Sequence, residues 1–497
     1  AGLDELTTIE GDLSIMDNDS LSNLIGLEGL TSIGGNALIW HNDVLINLIG
    51  LEGLDSIVGS IDISYNHALV SMTGLEELTY VGEDFEIIQN PSLTHLTGLD
   101  GLSSIGGSLN IGGNFSLTDL TSLGNFTTIG ESLGINQNIA LTSLAGLEGV
   151  TSIGGDLSLK TNNSLASLAG LEELTSVGGT LNISTNNDLP NLEGLEELTS
   201  IGGLHIGGNS SLTSLTGLEG VNAVEGRVWI YSNYLLMTLE GLSNIEYIGG
   251  WLTIRNNPIL ADLTGLENVS SIGGSVEIEK NENLSTLNGL NGLTSIGGSL
   301  LIGDFNYGNP ALIDLTDLEG LTSIGGNLSI ISNYDLTSLA GLDNIESGTI
   351  NYLRIERNYS LSTCHVESIC DYLAAPHGYV SIKLNKSGCS NVQQVQEACG
   401  IWPGVEELPK DKQESEIIIY PNPAYERVHF QLSVSEKKWV IVKIYNTHGR
   451  EIATILDSKM PAGQHKIEFN TGSLPVGIYF CVMKTNTGTQ TKKIIKL

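Results

Sequence analysis

Residues 104–123 read SIGGSLNIGGNFSLTDLTSL, and the spacing of the apolar side chains in this stretch sets the architecture of most of the chain. Ile105, Leu109, Ile111, Leu117, Leu120 and Leu123 are separated by Gly, Ser, Asn and Thr. Leu109 and Ile111 alternate with Asn110 and Gly112, the period-two pattern of a short strand with one buried face. All six apolar side chains are expected to point inward. A unit this small cannot cover them alone, so it needs a like unit on each side.

Such units are present. The phrase I-G-G-x-L-x-I-x-x-N-x-x-L recurs with its asparagine at Asn18, Asn42, Asn66, Asn90, Asn114, Asn138, Asn162, Asn186, Asn209, Asn233, Asn257, Asn281, Asn309, Asn333 and Asn358, a period of 24 residues. Repeats of this length mean stacked coils whose equivalent strands form a parallel sheet. Fifteen coils at the roughly 4.8 Å spacing of paired strands extend about 70 Å. Each asparagine lies just past a strand, where an inward amide satisfies backbone groups of its own turn and of the neighbouring coil. Left unpaired there, it would cost roughly 1–3 kcal/mol. An inward side chain is also closed to glycosylation, although Asn114-Phe115-Ser116 and others match the acceptor triplet. Gly-Gly pairs such as Gly34-Gly35, Gly106-Gly107 and Gly154-Gly155 mark a corner at which one residue is expected to take positive φ. No glycine run has the strand and helix context of a nucleotide loop.

The composition suits a β-rich coil, with 61 Gly and only 7 Phe. Residues 1–400 hold 8 Lys and Arg against 47 Asp and Glu, and the rest 13 against 10. So acidic an array repels phosphate backbones and makes nucleic acid a poor partner. No apolar run is long enough to span a bilayer. Residues 2–6 align with residues 26–30, so the chain starts inside a repeat, and an upstream portion with a cap and an export signal is expected.

The inward positions hardly vary along the array, whereas the outward ones differ from coil to coil. Reading only the latter gives Trp40, His41 and Tyr65 near the start and His205, Trp229, Tyr231 and Arg255 further on, with Arg354, Glu356 and Arg357 closing the row. Exposed Trp and Tyr beside Arg anchor interfaces and stack on sugar rings, which makes Trp40, His41, Tyr65, His205, Trp229, Tyr231 and Arg255 the candidate ligand-binding residues. Drift that scatters aromatics over a large surface is the alternative. Two other ladders run along the array. Glu28, Glu52, Glu76, Asp100, Glu148, Glu172, Glu196, Glu219, Glu267, Glu319 and Asp343 follow a Gly-Leu step and read as a solvated acidic surface. Calcium is the alternative there and at the 304–308 insertion, but a single row of carboxylates supplies too few oxygens and the insertion lacks a later acidic ligand. No cofactor and no metal site is assigned. Thr and Ser beside the corner, as in Thr151-Ser152, Thr175-Ser176 and Thr199-Ser200, suit turns, or else present a flat hydroxyl ladder that orders ice.

After Asn358 the period fails. Cys364, Cys370, Cys389 and Cys399 fall within residues 362–400, and in an exported protein four cysteines read as two disulfides. If Cys364 and Cys370 share a helix they lie too far apart to bond, so each is expected to pair with Cys389 or Cys399. Val366, Ile369, Cys370 and Leu373 have helical spacing, and Ser390 with Gln393 reads as a capping box for a second helix ending at Gly400. Residues 379–384 alternate between them like a strand. Zinc held with His365 and His377 is the weaker reading, since no C-x-x-C pair exists. Residues 401–416 read as a linker, and 417–420, 428–434, 440–445, 465–470, 477–483 and 489–497 as short strands of a small sandwich, with Cys481 as a buried free thiol.

The repeat resembles leucine-rich repeats, and more closely their receptor L-domain variant with the I-G-G-x-L-x-I-x-x-N core. An extra residue before the strand and another after the Asn imply turns and short strands, rather than helices, on the outer side. The tail resembles the C-terminal sorting domain of the type IX secretion system of Bacteroidota through Tyr420-Pro421-Asn422-Pro423, Val442-Lys443-Ile444-Tyr445-Asn446 with Gly449, Leu474-Pro475, Gly477-Ile478-Tyr479 and Lys492-Lys493. That resemblance implies interaction with the type IX machinery, export across the outer membrane, removal of the tail, and attachment to the bacterial cell surface or release.

The predicted architecture is therefore all-β dominated. A right-handed leucine-rich-repeat, L-domain-like solenoid occupies residues 1–361 and a disulfide-bonded α/β C-terminal cap residues 362–400. A linker over 401–416 leads to an Ig-like β-sandwich over 417–497. The predicted function is adhesin-like recognition of an extracellular protein or glycan. A structural or ice-binding rod is one alternative, and the non-catalytic targeting part of a larger exported enzyme another. Catalysis within this chain is not expected, because its 9 His are scattered, it has neither H-E-x-x-H nor G-x-S-x-G, and an open rod encloses no pocket.

Overall fold

Strand Leu109–Gly112 is hydrogen-bonded in parallel to Phe85–Ile88 on one side and Leu133–Asn136 on the other, each partner 24 residues away. In this computed structural model, which describes residues 3–401, 416–434, 436–486 and 488–497, that pairing repeats through a β-solenoid of about 16 turns. Ile105, Leu109, Ile111, Leu117, Leu120 and Leu123 are all buried, as their spacing predicts. Each such Leu or Ile contributes about 1.5–3 kcal/mol by leaving water, but only because the neighbouring coils cover it. A second, shorter ladder runs beside the first, pairing Ser104–Ile105 with Tyr80–Val81 and its equivalents. Turns complete each coil; the described helices of the array are three 3₁₀ turns, at Thr121–Leu123, Thr316–Leu318 and Ser347–Thr349.

The asparagines form a continuous buried file. Asn90 Oδ1 accepts the backbone N–H of Asn66 (3.0 Å), while Asn66 Nδ2 donates to the Ile39 carbonyl (2.9 Å) and to that of Ser64 (3.1 Å). The same hand-off runs from Asn18 to Asn358. Asn42 to Asn358 have no exposed surface, and Asn18, at the first coil, is exposed. One further member was missed by the repeat phrase: Asn385 Oδ1 accepts from Asn358 N (3.0 Å), and its amide donates to Ile355 O (2.8 Å). The file survives both irregularities of the period. Asn281 N reaches Asn309 Oδ1 across the 28-residue coil, and Asn186 N reaches Asn209 Oδ1 across the 23-residue one, where the register shifts between Val177 and Thr180.

Positive φ is not at the Gly-Gly corner. It falls at the residue before each ladder Asn except Asn309, as at Gln89 (φ 57°) and Gln137 (φ 59°), with Gly303 (φ 77°) taking it in the coil of the insertion, and at the glycine of the Gly-Leu step, as at Gly146 (φ 112°). The corner glycines serve close approach instead: a Cβ on Gly106 would stand 2.1 Å from the Gly82 carbonyl oxygen of the coil before.

The array ends in helices Glu367–Ala374 and Val392–Ala398 with strand Val380–Lys383 between them, paired to Leu353–Glu356. Cys364 bonds to Cys389 (Cα–Cα 5.7 Å) and Cys370 to Cys399 (5.4 Å). Only Cys370 is helical, since Val366 is the N-cap of the first helix. The second helix starts one residue later than the capping-box reading has it: Asn391 Oδ1 accepts from Gln394 N, and the side-chain Oε1 of Gln394 accepts from Gly388 N and Ser390 Oγ. His377 Nε2 donates to the Ile350 carbonyl (2.7 Å).

The chain divides into two compact units, Ala1–Ile401 and Trp402–Leu497. The expected linker lies, but for its two end residues, outside the described residues. In the second unit Glu416–Tyr420, Arg427–Val434 and Gly463–Asn470 form one antiparallel sheet. Glu451–Met460, Lys438–Asn446, Gly477–Thr485 and Thr489–Lys496 form another. Both share a core around Phe430, Val442 and Cys481, and burial pushes the free Cys481 thiol up to about 12. Strand Glu451–Met460 is an addition to the six read from sequence.

Replacing Asn162 by Ala removes the acceptor for Asn138 N and the donor to Ile135 O, both buried. The expected loss is roughly 1–3 kcal/mol for each orphaned group, read as faster amide exchange in the coils around residues 135–186. Asn18→Ala is expected to change stability by less than about 0.5 kcal/mol; equal effects of the two would refute the load assigned to the file.

Candidate functional site

Outward side chains come from the second and fourth residues of each long strand and from the residue before the ladder Asn. Strand register sets His205 beside Trp229 and Trp229 beside Thr253, and in the next column Gly207 beside Tyr231 and Tyr231 beside Arg255. The rings of His205 and Trp229 stack with centroids 4.5 Å apart, and those of Trp229 and Tyr231 likewise at 4.5 Å. Glycine at position 207 makes the room, since a Cβ there would meet the Tyr231 ring at 2.1 Å. The Arg227 guanidinium lies 4.0 Å from the Trp229 ring centre, a contact the outward-position reading did not include. Arg255 pairs with Glu279 at 2.9 Å.

His205 is kept neutral. Burial, with Lys160 and Arg227 adding their charge, pushes its pKa down to about 4. Its Nδ1 faces the Asn182 amide nitrogen (3.2 Å), which as a donor leaves the ring proton on Nε2. Nε2 has no partner, nor have Trp229 Nε1 and Thr253 Oγ1. Three consecutive coils thus offer an aromatic shelf, beneath which three buried polar atoms lack partners. Such a shelf can stack against a flat ring.

The other predicted residues do not join this site. Trp40, His41 and Tyr65 cluster on the same strand face, with Trp40–Tyr65 centroids 5.6 Å apart, His41 on Asp17 (2.9 Å) and the unanticipated His67 on Asp43 (2.6 Å). Eight coils separate them from Trp229, about 38 Å at the strand spacing. Arg354, Glu356 and Arg357 form a third group. Glu356, 1% exposed, accepts from Ser381 Oγ (2.6 Å) between Arg354 and Lys383, while Arg354 and Arg357 hold Phe305 of the insertion.

Both secondary ladders have local structural roles. Glu148 accepts from Gly146 N (2.9 Å), and nine of the other acidic residues cap the equivalent glycine; Glu319 does not. Thr151, Thr175 and Thr199 donate to carbonyls one coil back. In the insertion Asp304 Oδ1 accepts from Asn306 N and Tyr307 N. Among the described residues no group of three or more His, Cys, Asp or Glu is placed to hold a metal ion.

Beside the insertion, Glu277, Ile278, Glu279, Leu301, Gly303 and Asp304 line a hollow of about 200 Å³. Burial pushes Glu279 up to about 7, against the pull of Arg255 and with Asp304 and Glu277 adding to the rise. A carboxyl held above its unfolded pKa stabilises the fold while protonated, so this contribution is complete below about 4.5 and is lost as pH climbs through 7. Glu279→Gln is expected to flatten the decline in thermal midpoint between pH 4.5 and 7; an unchanged slope would contradict the assignment.

In the tail, Asn422 ties the first strand to the last, its amide donating to Lys493 O (2.7 Å) and its oxygen accepting from Ile495 N (2.8 Å). Tyr479 donates to Pro475 O (2.8 Å). The motif residues thus hold the ends of the second unit together. Residues 418–497 match the family model described as secretion system C-terminal sorting domain. No curated protein matches the chain. Among the described residues no helix is long and apolar enough to cross a membrane. Residues 418–497 are a type IX secretion sorting domain, which marks the chain as one exported by that system and then attached to the cell surface or released.

Proposed function

We propose that the solenoid is a surface-displayed binding module that recognises an extracellular protein or glycan through its long-strand face. On this reading the coils are of the leucine-rich-repeat, receptor L-domain type, the tail is an Ig-like sandwich, and the chain is adhesin-like rather than catalytic. The observation that carries it is the shelf of His205, Trp229 and Tyr231. Large rings stand side by side on a face that elsewhere bears Asn110, Gly134 and Ser158 at the same positions, and neighbouring polar atoms lack partners. The ice-binding reading is weaker, because the threonine hydroxyls already donate to backbone carbonyls. The sorting domain accounts for delivery and for the type IX machinery as a partner.

A glycan and extracellular-protein array probed with the full chain, then with the Trp229→Ala, Tyr231→Ala double variant, tests this. Truncating two central rings is expected to weaken binding at least tenfold with the fold retained, since both side chains are partly exposed. Undiminished binding by the double variant would place recognition elsewhere.

A further inference from the structure

Residues 1–400 contain only 8 Lys and Arg, and all of them occupy one side of the coil. Lys160 and Arg255 close strands Leu157–Lys160 and Leu252–Arg255, Arg227 immediately precedes Val228–Tyr231, and Lys280 immediately follows Val276–Glu279. The remaining four behave alike: Arg354 and Arg357 lie in or just after Leu353–Glu356, Lys383 ends Val380–Lys383, and Lys386 follows ladder Asn385. Every cation therefore falls in the 8 residues of the 24-residue period that run from just before the long strand to just after the ladder Asn. The Gly-Leu turns and the short-strand ladder carry none.

Around the aromatic shelf two of these cations have no carboxylate partner. Lys160 and Arg227 are exposed and, among the described residues, have no carboxylate within ion-pair distance. Arg255 stands next to Tyr231 in register; it is paired with Glu279 but keeps 44% of its side chain exposed. Lys160 is in the same column as Tyr231 three strands earlier, about 14 Å along the sheet. The face is flat and open, with separated positive charges on either side of stacked rings. A ligand that fits carries flat apolar faces and negative groups several ångströms apart along a repeating chain.

We propose that the face from Lys160 to Arg255 binds an acidic polysaccharide, with sugar rings against Trp229 and Tyr231 and carboxylate or sulfate groups on Lys160, Arg227 and Arg255. This rests on the strand-face reading above and narrows its ligand. Guanidinium groups suit these anions because they pair with carboxylate and sulfate oxygens in a bidentate manner. A polysaccharide is favoured over an acidic protein because the shelf is one row of rings without the apolar centre of a protein interface.

The test measures binding of the full chain to alginate, dextran sulfate, neutral dextran and poly-glutamate at low and at moderate salt. Expected are binding of alginate or dextran sulfate but not of dextran, weakening as salt rises, a loss of tenfold or more in Lys160→Gln, Arg227→Gln and in Trp229→Ala, and little change in Lys386→Gln. Dextran bound as tightly as alginate and insensitive to salt would overturn the anionic assignment while leaving the strand face as a glycan site. Poly-glutamate bound as well as alginate, with Trp229→Ala silent, would reduce the face to a generic polyanion surface and overturn the proposal. Binding of none of the four polymers, beside array hits lost in the Trp229→Ala, Tyr231→Ala variant, would sink the polysaccharide alone.

Discussion

One buried amide per coil, accepting the backbone N–H of the coil before and donating to a carbonyl there, is the contact on which the array depends. The apolar side chains supply most of the favourable energy and fix which face of each strand is buried, since a slip of one residue would turn them to solvent. The asparagine adds a directed tie between coils, since a displaced amide would leave buried donors and acceptors open. This explains why the period varies between 23 and 28 residues while the file stays unbroken. Coils are free to gain or lose residues wherever the amide is not involved. The 304–308 insertion uses that freedom to set Phe305 and Tyr307 against Arg354 and Lys280.

What the sequence disclosed follows from this division. Buried positions are periodic because each coil solves the same packing problem, so the core, the strands and all but the last ladder asparagine were legible. Asn385 escaped because its strand, Val380–Lys383, has no Gly-Gly corner before it, although Val380 and Ile382 keep the right distance to the Asn. Strand Glu451–Met460 escaped because register shifts against its neighbour between Val442 and Lys443, and again between Ile444 and Tyr445, break the alternation. That Cys364 and Cys370 do not bond to each other was legible from reach, but which of Cys389 and Cys399 each takes was not, and Cys364 turned out not to be helical.

The site was legible only by residue type. Outward aromatics can be picked from the sequence, but whether they meet depends on coil number, and Trp40 and Trp229 belong to clusters eight coils apart. One contact that shapes the shelf depends on the neighbouring coil: Gly207 matters because Tyr231 lies over it. Comparing the same position in adjacent coils would have exposed it, whereas Arg227 stands over Trp229 within its own coil.

The acidic character of the solenoid invites the conclusion that it repels anions, and the ladders show why that does not follow. The stacked carboxylates from Glu28 to Asp343 are there because the glycine of each Gly-Leu step needs its N–H capped, and Asn291 does the same service uncharged at Gly289. Their charge is a consequence of turn chemistry repeated many times, on a different side of the coil from the long strand. At physiological ionic strength exposed charges are screened over about 8 Å. A ligand lying on the strand face therefore responds mainly to its immediate neighbours, and at the shelf these are Arg227, a neutral His205 and Arg255 with its partner Glu279, with Lys160 three strands away. The face carries carboxylates of its own, such as Asp62, Glu86 and Glu277, but they lie outside the stretch from Lys160 to Arg255, so net charge does not decide what the shelf can bind.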